Sequence, residues 1–203
     1  MTHACVVLFA SIAALACAAD PKAPKHFTVV FETDVEPDNG AASFAVLVNR
    51  SLAPHGADRL HAAVTAGFYN NSAFFRFVPK FVVQWGISGD KAMNHKFLHK
   101  TIPDDKVIGS NTKGSVVFAS TGEKNSRSTQ IFINFVNNKR LDAMGFAPFG
   151  AVTSGMDVAL KIFNPTPQDD SGVDQDDYET KGNNWIKSTY KGINFVTAAY
   201  VTA

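Results

Sequence analysis

The run Phe74-Phe75-Arg76-Phe77-Val78-Pro79-Lys80-Phe81-Val82-Val83-Gln84-Trp85-Gly86 constrains the fold more than any other stretch of the chain. Its aromatic and β-branched residues favour strands, yet Pro79 cannot donate to a ladder and drives the residue before it toward extended geometry. One unbroken strand at ~3.3 Å per residue would hold Arg76 and Gln84 roughly 26 Å apart. A turn at Val78-Pro79-Lys80-Phe81 instead makes two short antiparallel strands on which Arg76 and Gln84 face each other. An arginine beside an amide on an apolar sheet face is pre-organised to donate hydrogen bonds to a carbonyl or an anion. An edge-strand arginine reaching out to water is the equally weighted alternative from this segment alone.

With 203 residues, 45% hydrophobic and 18% charged, the chain reads as one globular domain large enough to bury a core. A net charge of +1 supplies no broad field for nucleic acid or an anionic membrane, so neither is an expected partner. Residues 2–19 lack Lys, Arg, Asp and Glu, and Cys5 to Ala18 form an apolar run ending in small residues before Asp20-Pro21. This is a signal-peptide pattern, shorter than the ~20 residues a membrane-spanning helix needs. Cleavage after Ala18 or Ala19 is expected, with an uncleaved anchor as the competing reading, because only the amino terminus and His3 carry positive charge in the leader. Attachment at Cys17 as a lipoprotein is disfavoured by Ala14, where a leucine is usual. The expected location is therefore the secretory pathway or outside the cell, with no membrane attachment after cleavage. The C-terminal Tyr200-Val201-Thr202-Ala203 is not a retention tetrapeptide. Both cysteines, Cys5 and Cys17, lie in the leader, so the processed domain has no disulfide. Two sequons, Asn49-Arg50-Ser51 and Asn70-Asn71-Ser72, matter only in a eukaryotic host.

Beyond the lead at 20–26, Phe27 to Phe31 and Ala45 to Val48 have strand patterns and form an expected opening hairpin. Gly56 to Ala66 takes helical spacing, with Gly67 as the residue after its end. Residues Ser88 to Lys113 are polar and basic and read as a long surface loop. Strand patterns return at Gly114 to Ala119, Gln130 to Phe135 and Phe149 to Val152. Ser154 is the expected N-cap of a helix that stops at Asn164-Pro165. Residues Asn164 to Asn184 are acidic and loop-like, and a last strand lies around Ile193 to Val201. Many short strands with two helices in one domain point to a closed antiparallel barrel.

Taken together, Phe74-x-Arg76-x-x-Pro79-x-Phe81-x-x-Gln84-x-Gly86, Gly114-Ser115-Val116-Val117-Phe118-Ala119, Gln130-Ile131-Phe132-Ile133-Asn134, Leu141-Asp142 and Phe149-Gly150 resemble the cyclophilin family of peptidyl-prolyl cis-trans isomerases. The stretch from Asn125 to Asn134 with Gly145 to Gly150 is similar to a subgroup common among bacterial-type members. The resemblance covers Phe27 to the C-terminus and divides the chain into a signal peptide at 1–19, a short lead at 20–26 and an isomerase domain at 27–203. It implies a mainly β fold, a closed eight-stranded antiparallel barrel capped by two α-helices, with a peptide groove on its outside. It also implies catalytic roles for Arg76 and its orienting partner Gln84. Phe81, Phe132 and Leu141 match the walls of a proline pocket, Val82 an apolar groove position, Ala119 and Ser120 the strip under the substrate backbone, and Gln130 a polar contact there. Partners would be proline-containing peptides and unfolded or client proteins, with the enzyme a monomer needing no cofactor or metal.

An X-Pro amide resists rotation by roughly 18–20 kcal/mol because its C–N bond has partial double-bond character. As the bond twists, the prolyl nitrogen gains a lone pair that a fixed guanidinium can hydrogen-bond more strongly than in the planar state. Two departures from the family pattern stand out. Arg140 replaces a tryptophan associated with cyclosporin-type ligands, which counts against their binding, and Ala143-Met144-Gly145-Phe146-Ala147-Pro148 lacks a usual histidine, with Phe146 as its apolar substitute. They motivate a second reading, a proline-peptide binding module with little turnover. A purely structural barrel leaves Arg76 and Gln84 unexplained. Without the resemblance, Phe81, Phe132 and Leu141 would read as core residues, Gln130 as a backbone partner and Ser120 as a turn residue. His95 and His99 have zinc spacing but sit among lysines, and Asp169 to Glu179 do not fit a calcium loop, so both read as solvated loops.

Overall fold

The computed structural model describes residues 19–36 and 42–202, so the expected leader lies almost wholly outside the described residues. Two long strands, β1 (His26–Thr33) and β2 (Ser43–Asn49), form the expected opening hairpin, with Val29 opposite Val46. Their period-two pattern buries Phe27, Val29 and Phe31 from one and Phe44, Val46 and Val48 from the other. Helix α1 (Pro54–Thr65) follows, with Pro at its start and Gly67 at φ +75° after its end. Next come β3 (Ser72–Ala73), β4 (Arg76–Val78), β5 (Val82–Trp85), the short α2 (Lys91–Met93) continued by a π-helical turn at Asn94–Leu98, β6 (Ser115–Phe118) and β7 (Ile131–Asn134). The chain ends with α3 (Arg140–Ala143), β8 (Pro148–Ser154), α4 (Met156–Leu160), α5 (Gln175–Thr189) and β9 (Phe195–Thr202).

All the strand pairings are antiparallel, and the sheet runs β3-β9-β1-β2-β8-β6-β7-β5-β4. Nine strands are present among the described residues where eight are expected, the addition being the two-residue β3. No ladder joins the outermost strands β3 and β4 among the described residues. They are nevertheless consecutive in the chain, separated only by Phe74 and Phe75, so the covalent backbone keeps the two edges of the curled sheet together. Inside it lies the main core, where Trp85 packs edge-on against Phe31 and Phe44 at centroid distances of 5.3 and 5.7 Å. Helices α1 and α4 both contribute to this core, through residues such as Leu60 and Val158.

Three local expectations are corrected. The segment from Ser88 to Lys113 is not a plain surface loop: Asn94, Phe97, Ile102, Asp105 and Asn111 are buried. Asp105 accepts the first backbone N–H groups of α1 from His55 and Gly56 at 3.0 and 2.9 Å and pairs with buried Arg127 at 3.1 Å. Ser154 ends β8 instead of capping a helix; the N-cap position of α4 is Gly155, whose φ of +73° serves the sharp strand-to-helix turn. The acidic stretch from Asn164 to Asn184 is not all loop. Asp174 caps α5 by accepting the Asp177 N–H at 2.9 Å, and the helix kinks at Gly182 before running on to Thr189. Tyr178 and Ile186 of α5 bury themselves with Phe75, Ile87 and Phe195 in a second core on the outside of the sheet.

Candidate active site

Pro79 makes the predicted turn. Phe81 donates its N–H to the Val78 carbonyl at 3.0 Å, and Lys80 takes a φ of +60° at the position where this turn needs a left-handed residue. The two strands it joins pair Arg76 directly with Gln84. Gln84 in turn lies opposite Phe132, and Phe132 opposite Val117. Directly opposed residues point to the same face, so Arg76, Gln84, Phe132 and Val117 form one row across β4, β5, β7 and β6.

The opposite face of the same strands supplies Val83, Trp85, Ile133 and Val116 to the main core. This is why β5, β6 and β7 are buried at every position. Their outer face is roofed by a separate apolar cluster of Val82, Val117, Phe132 and Leu141, with Phe81, Ala119 and Phe146 against it. Leu141 comes from the one-turn helix α3, and Phe146, from the loop after it, meets the Phe132 ring edge-on at 5.8 Å. The cluster borders a groove of about 570 Å³, and every position read from the sequence lines it: Arg76, Phe81, Val82, Gln84, Ala119, Ser120, Gln130, Phe132, Leu141 and Phe146. Ser120 also has a turn role, sharing a hydrogen bond with Ser126 Oγ at 2.9 Å and accepting the Gly122 N–H at 3.1 Å.

Arg76 is held from two sides. Its Nη1 donates to Gln84 Oε1 at 3.0 Å and its Nε to the backbone carbonyl of Asp170 at 2.6 Å. Burial lowers its pKa from the usual arginine value, partly offset by the charge of Asp170, and a guanidinium remains a cation throughout. Among the described residues, Nη2 has no partner. The guanidinium also lies 5.9 Å from the Phe81 ring centre, and that of Arg140 lies over the same ring at 4.9 Å from its centre. Arg140 thus takes up an aromatic wall of the groove from outside. Gln130, read from the sequence as a contact for substrate, is bonded to other side chains here: its Oε1 accepts from Gln84 Nε2 at 2.8 Å and its Nε2 donates to Gln175 Oε1 at 2.9 Å.

The far side of the groove was not foreseen from sequence. Gln175, Asp176 and Glu179 of α5 line it, and Glu179 pairs with His99 Nε2 at 2.8 Å. His99 therefore faces a carboxylate instead of standing in an open basic loop, and no set of metal-ligating side chains occurs among the described residues. The signal available was the spacing of Asp174 and Asp177, a helix N-cap pattern inside an otherwise acidic run.

Beneath the apolar wall, Asp142 fixes α3. It accepts from Ser110 Oγ at 2.5 Å, from the Asn111 N–H at 2.8 Å and from Asn111 Nδ2 at 2.7 Å. Burial raises its pKa, but these donors outweigh that and hold it below the ordinary carboxylate value. A pKa depressed by folding contributes stability that is present above the unfolded value, about 3.9, and lost as pH falls through the folded one. Urea midpoints measured from pH 7 to pH 2 should therefore fall more steeply for the native protein than for Asp142→Asn, the two curves converging at the acid end.

The antiparallel half-barrel thus bears on its outer face a fixed arginine beside an aromatic-walled groove. The model of the cyclophilin type peptidyl-prolyl cis-trans isomerase family matches residues 28–189, and the chain belongs to that family. Peptidyl-prolyl cis-trans isomerase A of Dickeya dadantii is 34% identical over 142 residues, covering 67% of this chain and 74% of its own length. A peptidyl-prolyl cis-trans isomerase of Acinetobacter baylyi is 34% identical over 138 residues, covering 65% of this chain and 72% of its own length. Among solved structures, a Cryptosporidium parvum cyclophilin type isomerase superposes with a TM-score of 0.62 over 88% of this chain and 98% of its own, at 17% identity. The same protein crystallised in the presence of the dipeptide Ala-Pro gives a TM-score of 0.59, over 87% of this chain and 99% of its own, again at 17% identity.

Proposed function

We propose that this cyclophilin-type isomerase accelerates rotation about X-Pro bonds by presenting Arg76 to the prolyl nitrogen while the ring sits against Phe81, Phe132, Leu141 and Phe146. The observation that carries this is the cross-strand row in which Arg76 bonds Gln84 at 3.0 Å directly beside Phe132. The planar amide keeps its nitrogen lone pair in conjugation and offers a weak acceptor; the twisted amide localises it and offers a strong one. A guanidinium already fixed on Nη1 and Nε reorganises little when that charge appears, so its hydrogen bond favours the twisted state over both planar ones. The apolar wall excludes water from the same side and strengthens the interaction. Nothing in this route breaks a covalent bond.

Exchange spectroscopy by NMR on an X-Pro peptide tests the proposal. Cross-peaks between cis and trans forms should grow with catalytic amounts of protein, whereas binding without faster exchange would favour a proline-peptide binding module. Phe132→Ala should weaken peptide binding by about 1.5–3 kcal/mol, the transfer energy of one buried phenylalanine side chain, which is roughly 10- to 150-fold in affinity by fluorescence or NMR titration.

We further propose proline-containing segments of folding proteins as the clients. The apolar stretch at 2–19 supports entry into an export route. Mass spectrometry of the protein recovered from its native cells should find a mature N-terminus at Ala19 or Asp20, and an intact Met1 would count against export.

A further inference from the structure

We propose that the segment 164–175 is a positioning strap for Arg76, with Gln175 as its positioning residue; this rests on the isomerase reading above. The strap reaches the arginine along two routes. Along its backbone, Val173 donates its N–H to the Phe75 carbonyl at 2.8 Å, and Asp170 accepts from Arg76 Nε. Gly172 lies so close that a Cβ there would stand 2.7 Å from Arg76 Cβ and 2.8 Å from the Phe75 oxygen, at a φ of +85°. Only glycine fits this approach.

Along side chains, the route is Arg76 to Gln84 to Gln130 to Gln175. An arginine can only donate, so Gln84 must accept through Oε1 and turn its amide group outward. Gln130 must then do the same, and Gln175 has to end the chain as an acceptor. Each amide has one orientation because the first donor is a guanidinium, and the strap supplies the final acceptor that a substrate-facing Gln130 would otherwise lack.

Behind the strap, α5 is fastened to the sheet. Tyr178 Oη accepts the Ala73 N–H at 2.9 Å and donates to Asn183 Oδ1 at 3.1 Å, and Val173, Tyr178 and Ile186 are buried against Phe75 and Phe195. The strap is thus anchored independently of Arg76. It fixes the plane of the guanidinium and leaves Nη2 for substrate.

Gln175 sits half-buried in the first turn of α5 and belongs to neither core, so substitution there leaves both untouched. Gln175→Leu removes the acceptor, Gln175→Lys offers only donors, and Gln175→Glu keeps an acceptor. In the full chain, kcat for an X-Pro peptide should fall roughly fivefold in Gln175→Leu and at least as far in Gln175→Lys, the scale of one net hydrogen bond. Gln175→Glu should recover most of the loss, with KM and thermal midpoint nearly constant across the series. Native protein that does not accelerate exchange would sink the isomerase reading itself. Active native protein with Leu, Lys and Glu variants indistinguishable from it, or differing from it only in KM, would overturn the positioning role alone.

Discussion

Replacing Arg76 by alanine should lower kcat for X-Pro isomerisation by about 10²–10³, the measured scale for removing one pre-organised donor to a developing charge. The guanidinium is the cation facing the apolar pocket from the sheet row, and it is held at both Nη1 and Nε. Arg76→Lys should not restore the rate. A lysine ammonium cannot bond Gln84 and the Asp170 carbonyl in one plane while presenting a further N–H to the substrate. Peptide affinity should change much less than turnover in both variants, because in the proposed binding mode the proline ring rests on the apolar cluster that includes Phe81, Phe132 and Leu141 and not on Arg76. NMR exchange rates and titrations on the same peptide separate the two quantities; turnover unchanged in Arg76→Ala would exclude the mechanism.

Trp85→Ala should produce the largest loss of stability, about 3–5 kcal/mol. The indole is fully buried inside the curled sheet and contacts the rings of Phe31, Phe44 and Phe74 at 5.3, 5.7 and 5.4 Å between centroids. Its removal leaves a cavity that rings held by three different strands or links cannot close. For a domain of this size each kcal/mol shifts the thermal midpoint by about 2–4 °C, so a drop of roughly 6–20 °C is expected by calorimetry. Trp85→Phe should cost far less. It keeps an aromatic ring against its neighbours and removes an indole N–H that has no acceptor among the described residues. Equal losses in the two variants would show that ring packing is not what the position contributes.

These two neighbouring strands show why so much of the site was legible. Pro79 allows one turn, and that turn sets Arg76 opposite Gln84 in the observed register. From there period two assigns Val83 and Trp85 to the core and Val82 and Gln84 to the outer face. Such patterning could not say whether the outer face was solvated or roofed. Phe132 has the strand spacing of a core residue, and it is buried, but in the groove cluster on the other side of the sheet. Asp105 illustrates a second limit. Inside a polar, basic stretch nothing local marks it as the buried partner of Arg127 and the acceptor for α1, 49 and 50 residues away.

Helix α5 was missed for a physical reason. Tyr178, Trp185 and Ile186 are nearly its whole apolar content, and Gly182 interrupts it with a φ of +74°. Its stability comes from burial against Phe75, Ile87 and Phe195, residues of other segments, so its own sequence carries little helical pattern.

The sequence by itself determined the hairpin, the Arg76–Gln84 pair and which side chains of β5, β6 and β7 share a face, because these follow from dihedral limits at proline and from the two-residue repeat of a strand. Tertiary structure alone decided what stands across the groove from them. Asp170 lies 94 residues from Arg76 and serves it through a backbone carbonyl, a group every residue possesses, so only the path of the chain in space could select it.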